Sequence, residues 1–134
     1  VENSKGQVLL QQRSFDLKIS PGNWTPAADG TVPKDSTYDE TAPRELEEEV
    51  GLKGVPLIKT NKIHAKFEFG WRQVQGYTVI CDWPLEKFTI QRDEVEQIEW
   101  VDKQQLLAEI SGKAPHTRVY PPSCKMWPKL FNLV

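Results

Sequence analysis

Apolar and polar positions alternate along some stretches of the chain and recur at helical spacing along others. Gln7 to Gln12 (QVLLQQ) sets Val8, Leu9 and Leu10 between polar ends. It predicts a strand returning from the turn Asn3-Ser4-Lys5-Gly6, with Val1 as the end of the strand before that turn. Arg13 follows, then a loop over 14–19 and a turn at Pro21-Gly22. Trp24 to Ala28 predicts a short strand, and so does Pro56 to Lys59. Ile63, Ala65, Phe67 and Phe69 alternate with polar residues, which predicts a half-buried strand over 63–69. After a turn at Gly70-Trp71, a second long strand spans Gln73 to Asp82, with Val74, Val79 and Ile80. A third spans Glu94 to Val101, with Trp100 near its end.

Helical spacing appears in three places. Asp102 is placed to cap a helix over Lys103–Ile110, whose apolar stripe is Leu106, Leu107 and Ile110. Residues 111–117 read as loop. Pro121-Pro122 opens a last helix in which Met126, Leu130 and Phe131 can pack. The most informative helix carries Arg44-Glu45-Leu46-Glu47-Glu48-Glu49-Val50, with Leu46 and Val50 as core anchors and Gly51 just past its end. Its start has two readings. Thr37 with Glu40 forms a capping box, which starts the helix near Tyr38 and leaves Pro43 inside it. Alternatively Thr41 caps a helix that begins near Ala42, with Pro43 in the first turn. Strands in the middle with helices at the flanks predict an α+β fold, a mixed sheet sandwiched between helices.

Composition narrows the function classes. The 134 residues make one domain, 1–134, large enough for a real core, and five Trp with five Phe supply bulky surfaces for it. A net charge of −2 gives no general attraction to nucleic acid or anionic membrane. No apolar run nears the roughly 18 residues that span a bilayer, and no signal peptide is seen. Cys81 and Cys124 are too few for a disulfide scaffold or zinc site, and read as reduced thiols of a cytoplasmic protein. The chain opens on Val1 rather than Met, so residues before it are expected.

On a helix, Glu45, Glu48 and Glu49 stand at i, i+3 and i+4 and share one face. Three like charges so placed repel one another. A fixed helix presenting them suits Mg²⁺ or Mn²⁺, hard cations that prefer oxygen ligands. The alternative is an ordinary solvated acidic face.

The wider stretch from Gly30 to Leu52 resembles the Nudix box, G-x5-E-x7-R-E-U-x-E-E-x-G-U, where U is a bulky aliphatic residue. Gly30, Arg44, Glu45, Leu46, Glu48, Glu49, Gly51 and Leu52 fall at the required spacing, and Ser36 stands where the motif has its first glutamate. The resemblance implies a loop–helix–loop whose carboxylates bind the metals that activate diphosphate hydrolysis. It makes Glu48 and Glu49 metal ligands, Glu45 a third ligand or a base, and Arg44 a partner that fixes a helix carboxylate. Asp35, beside Ser36, is the candidate substitute for the missing glutamate.

Two further runs, GQVLLQQRSFDLKISPGNWTPAADG and DEVEQIEWVDKQQLLAEI, look like the isopentenyl-diphosphate isomerase branch of the same superfamily. That kinship aligns Arg13 with a diphosphate-binding arginine, with Lys18 as a weaker candidate. It also exposes departures from isomerase chemistry. The isomerases place a cysteine before the box glycine, where this chain has Asp29, and a metal-binding histidine after it, where this chain has Thr31. Their strand glutamates align with Gln73 and Gln75, whose amides cannot do acid–base work. His64 and His116 lie elsewhere. Glu94 or Glu96 could supply a loop base, and Trp24, Trp71 or Trp100 could stack a base or an isoprenoid, though core and surface roles compete in each case. The expectation is a Mg²⁺-dependent hydrolase, with Mn²⁺ as the other candidate metal, acting on a small-molecule diphosphate such as a nucleoside diphosphate derivative. A diphosphate binder without activity and an isomerase are the alternatives. No nucleic acid or membrane partner is expected, and a homodimer is left open.

Overall fold

A computed structural model describes residues 1–67 and 69–133. Glu68, inside the strand expected over 63–69, and Val134, the end of the expected domain, lie outside the described residues. In chain order the elements are β1 (Gln7–Arg13), β2 (Trp24–Pro26), α1 (Tyr38–Val50), β3 (Ile58–Phe67), β4 (Gly70–Thr78), β5 (Val95–Asp102), α2 (Lys103–Ile110) and α3 (Trp127–Leu130). Short 3₁₀ turns occupy Leu85–Lys87 and Pro122–Met126.

β1 is the centre. It pairs antiparallel with β2 on one side and β5 on the other, and β3 with β4 forms a separate antiparallel hairpin. Glu2 joins the two, through an antiparallel bridge to Val8 and a parallel bridge to Ile80. Its N–H donates to the Val79 carbonyl, and its own carbonyl accepts from Cys81, both at 2.8 Å. The parallel bridge makes the combined arrangement mixed, and the fold is α+β as the pattern predicts.

The run Val8-Leu9-Leu10 lacks alternation because β1 is buried on both faces. Leu9 points to one core with Leu46, Val50 and Leu52, the α1 layer. Val8 and Leu10 point to a second core with Trp24, Val101, Leu106, Trp127 and Leu133, the layer of α2 and the C-terminal segment. Burial of each such leucine is worth about 1.5–3 kcal/mol, so β1 is held from both sides.

α1 follows the capping-box reading. The Thr37 hydroxyl oxygen accepts from the Glu40 N–H at 3.1 Å, and the hydroxyl pairs with Glu40 Oε1 at 3.0 Å. Pro43 therefore lies inside the helix. The turn ahead of it survives because tertiary bonds hold it: Tyr77 donates to Asp39 at 2.6 Å, Lys59 pairs with Asp39 at 3.0 Å, and Tyr38 donates to the Gln73 carbonyl at 3.2 Å.

Elsewhere the boundaries move. The stretches expected at 56–59 and 63–69 are one strand, β3, with a register shift between Lys59 and Lys62. There Thr60 and Asn61 turn their side chains to the carbonyls of Leu130 and Lys129, both at 2.6 Å. β4 begins at Gly70 instead of after it and ends at Thr78, where pairing passes to Glu2. β2 ends at Pro26. The last helix is mostly 3₁₀, with a single α turn. Asp102 caps α2 as expected, accepting from Gln104 and Gln105. Cys81 and Cys124 are both free and buried, and no described helix is long and apolar enough to cross a membrane.

Gly51 ends α1 at φ 74°, and a Cβ there would sit 3.0 Å from Thr89 Cβ and 3.1 Å from the Thr89 nitrogen. Gly51→Ala should therefore destabilise the fold by more than about 1 kcal/mol. Urea unfolding reads this directly, and an unchanged midpoint would remove Gly51 from its capping role.

Candidate metal and diphosphate site

Leu9 and Gln11 share one face of β1, so the face that packs Leu9 against α1 also drives Gln11 toward it. Gln11 is fully buried and its Nε2 donates to Glu49 Oε1 at 3.0 Å. Glu49 is only 5% exposed, between the buried anchors Leu46 and Val50. Its Oε2 has no hydrogen-bond partner among the described residues, and neither does Gln11 Oε1. Burial pushes the Glu49 carboxyl up to about 9; Asp29 and Glu45 add to this, and Gln11 works against it.

Gly30 explains why Glu45 stands close by. A Cβ on Gly30 would lie 2.5 Å from Glu45 Cδ and 2.8 Å from its Oε2, so only glycine allows this approach. Asp29, next in the chain, sits at the mouth of the cleft with half its side chain open to solvent, 3.7 Å from Arg13 Nη1. Protein atoms crowding its carboxylate raise its proton affinity; Arg13 opposes this, and Glu45 and Glu94 add to it.

The other expected residues divide. Glu45 is half-buried and Glu48 exposed. Arg44 is exposed and pairs with no carboxylate among the described residues, contrary to the expected ion pair. Glu40, Glu47 and Glu48 all stand one turn from it on α1, and the exposed guanidinium pairs with none of them. Arg13 is brought to the cleft, its Nε donating to the Ile19 carbonyl at 3.0 Å. Lys18 is exposed on the loop after β1. Ser36 and Asp35 lie in a turn; Asp35 is exposed at φ 67° and makes no hydrogen bond or ion pair to the helix carboxylates among the described residues. Trp24 is core, Trp100 donates to the Trp83 carbonyl at 3.0 Å, and Trp71 is exposed beside His64. Glu94 and Glu96 are both exposed, and of the two it is Glu94 whose charge reaches Asp29. Gln75 is occupied, donating to the Gly76 and Asn61 carbonyls.

Sequence reasoning missed Gln11 and the position of Asp29. The signal for Gln11 was present: a polar residue two positions from Leu9 on a strand buried on both faces. Beside Asp29, Gly30 and Glu45 opens a mainly apolar cavity of about 170 Å³, walled by Ala27, Ala28, Leu46, Leu57 and Val79.

An orphaned, buried carboxylate oxygen with further carboxylates beside it is an arrangement that a hard divalent cation would satisfy. Among the described residues no three His, Cys, Asp or Glu groups already converge as a cage. Glu45 and Glu48, at i−4 and i−1 from Glu49 on α1, are the groups that would complete one around it.

Known proteins share both sequence and fold with this chain. A family model described as NUDIX domain matches residues 1–121. An uncharacterized Nudix hydrolase of Listeria monocytogenes is 33% identical over 108 residues, 79% of this chain and 62% of that protein. The uncharacterized Nudix hydrolase YfcD of Escherichia coli is 30% identical over 119 residues, 86% of this chain and 62% of that protein. The chain thus spans less than two thirds of these relatives. Among solved structures, DR0079 of Deinococcus radiodurans superimposes with a TM-score of 0.79 at 18% identity, over 97% of this chain and 78% of that one. The NUDIX domain of Shewanella oneidensis NrtR, solved with ADP ribose, gives 0.61 at 19% identity, over 85% of this chain and 69% of that one. At those identities the likeness is one of fold.

The Glu49 carboxyl gives a pH prediction. The fold keeps its proton above the pH at which an unfolded glutamate, near 4.5, releases it, and up to about 9. The folded state therefore binds more protons across that window, so stability falls as pH rises through it. In metal-free buffer, Tm should drop between about pH 5.5 and 8.5 in the wild type, and Glu49→Gln should flatten the drop. Equal slopes in both proteins would show that Glu49 is not held protonated.

Proposed function

The chain belongs to the Nudix family, and we propose that it is a Mg²⁺-dependent hydrolase that cleaves a diphosphate linkage in a small molecule, a nucleoside diphosphate derivative. Mn²⁺ is the alternative metal. The observation that carries this is the buried, unpartnered Oε2 of Glu49 beside Glu45 on α1. The nucleotide-derived ligand of the Shewanella neighbour supports the substrate class.

In this reading Glu49, Glu48 and Glu45 hold the cation, and Glu45 is the one with room to act instead as a base. A bound divalent ion neutralises phosphate charge and lowers the pKa of a water that attacks phosphorus. Arg13 offers a planar guanidinium for a phosphate, with Lys18 a weaker contact from its loop. Arg44, without a carboxylate partner among the described residues, supplies a second guanidinium on the helix. The apolar cavity beside Gly30 receives the organic part of the substrate. Residues 122–133 pack back on the sheet through Trp127 and Leu133, which supports one domain over 1–134. The free thiols support a cytoplasmic location, and a homodimer is compatible with the reading.

The sequence resemblance to the isomerase-like branch supports a diphosphate ligand. Isomerase chemistry itself finds little support, since Asp29, Thr31, Gln73 and Gln75 stand at its functional positions and Gln75 is already committed to two carbonyls. Ser36 favours a second reading, a domain that binds a diphosphate without cleaving it, because the turn holding it reaches none of the carboxylates.

Phosphate release from a diphosphate panel, titrated with Mg²⁺, tests all three. Glu48→Gln and Glu49→Gln should each lower turnover by orders of magnitude with the fold intact. The wild type should need high Mg²⁺, and Ser36→Glu should lower that need about 10–100-fold, the usual worth of a group that supports metal ligands. Asp35→Asn should change little. Turnover that survives both glutamine variants would overturn the metal assignment, absence of turnover in every protein would leave the binder, and allylic rearrangement would identify an isomerase.

A further inference from the structure

Asp29 touches both halves of the proposed site. On one side its carboxylate stands 3.7 Å from Arg13 Nη1, longer than the 2.7–2.9 Å of a strong charge-assisted bond. Arg13 is also tethered by Nε to the Ile19 carbonyl at 3.0 Å, and its side chain is 20% exposed. The guanidinium that would grip a diphosphate is thus held at the cleft by an acid. On the other side the chain at Gly30 lies against the Glu45 side chain, a Cβ there falling 2.8 Å from Glu45 Oε2, which sets Asp29 one residue from the helix carboxylates. Asp29, Gly30 and Glu45 line one cavity, and Glu49 Oε2, one turn along α1 from Glu45, is a buried oxygen without a partner among the described residues.

We propose that Asp29 is an exchange point that couples cation binding to diphosphate binding: without a cation it pairs with Arg13, and with one it turns to the Glu45–Glu49 side and frees Arg13 for a phosphate oxygen. This rests on the metal reading of Glu45, Glu48 and Glu49. A contact of 3.7 Å is weak enough to exchange, and a cation would offset the like-charge repulsion between Asp29 and the helix glutamates. Asp29 is then a positioning residue for Arg13 as well as a carboxylate of the cation site. Linkage requires the coupling to be reciprocal, each ligand tightening the other by the same factor.

The test uses the whole chain and two probes. Mn²⁺ alone is titrated by the electron-spin signal of the free ion. Imidodiphosphate, which resists hydrolysis, is titrated by calorimetry in metal-free buffer. Asp29→Asn, with Asp29→Ala as a second variant, should bind Mn²⁺ about 10–100-fold more weakly. The same variants should bind metal-free imidodiphosphate several-fold more tightly than wild type. The gain must run through Arg13: in an Arg13→Ala background, Asp29→Asn should no longer improve imidodiphosphate binding. Unchanged Mn²⁺ affinity, no gain for imidodiphosphate, or a gain that persists without Arg13 would each overturn the exchange. Glu49→Gln separates the two levels. If it weakens Mn²⁺ binding and Asp29→Asn does not, only the role of Asp29 falls. If Glu49→Gln leaves Mn²⁺ binding intact, the metal reading and the exchange fall together.

Discussion

The site depends on a carboxylate that the core cannot satisfy. Glu49 is carried inward because Leu46 and Val50, its neighbours on α1, are 5% and 0% exposed and lock the helix rotation. The strand it meets offers one amide, Gln11, and one hydrogen bond. An ionised carboxylate left so nearly bare costs several kcal/mol. Two things lower that cost, a proton or a cation, and they compete for the same oxygen. A protein selected only for stability would place an apolar residue there. The strain is intelligible if the cation is the intended partner.

The rest of the site is arranged around that need. Gly30 lets Glu45 approach, and Asp29 closes the acidic group while standing against Arg13. The cavity beside them is mainly apolar, so the charged groups gather at the Asp29–Glu45 side of it. The β3–β4 hairpin is joined to this end through Asp39, which holds Tyr77 and Lys59 and so keeps the first turn of α1 in place ahead of Pro43. The helix bearing the glutamates is thereby fixed at both ends, by the hairpin at its start and by Gly51 at its close.

Local chemistry was legible in the sequence, and contacts between distant segments were not. The i, i+3, i+4 glutamates, the anchors Leu46 and Val50, the Asp102 cap and the strand at Val8–Leu10 follow from spacing alone. The two readings of the α1 start could not be separated by local rules, because the deciding bonds come from Tyr77 and Lys59 in other elements. The split of β3 into two expected strands came from Thr60 and Asn61, polar residues that look like a break until the C-terminal segment is seen to accept their hydrogen bonds. Arg44 was expected to pair on its own helix and does not, since a motif specifies which residue is present and not its rotamer. The meeting of Gln11 with Glu49 joins residues 38 positions apart.

The most direct measurement is a crystal grown with Mn²⁺ and recorded where manganese scatters anomalously. The account predicts an anomalous peak about 2.1 Å from Glu49 Oε2, a typical distance for a small divalent ion on oxygen, with Glu45 or Glu48 drawn onto the same ion. A peak elsewhere on the protein, with Glu49 still bonded to Gln11 alone, would contradict it.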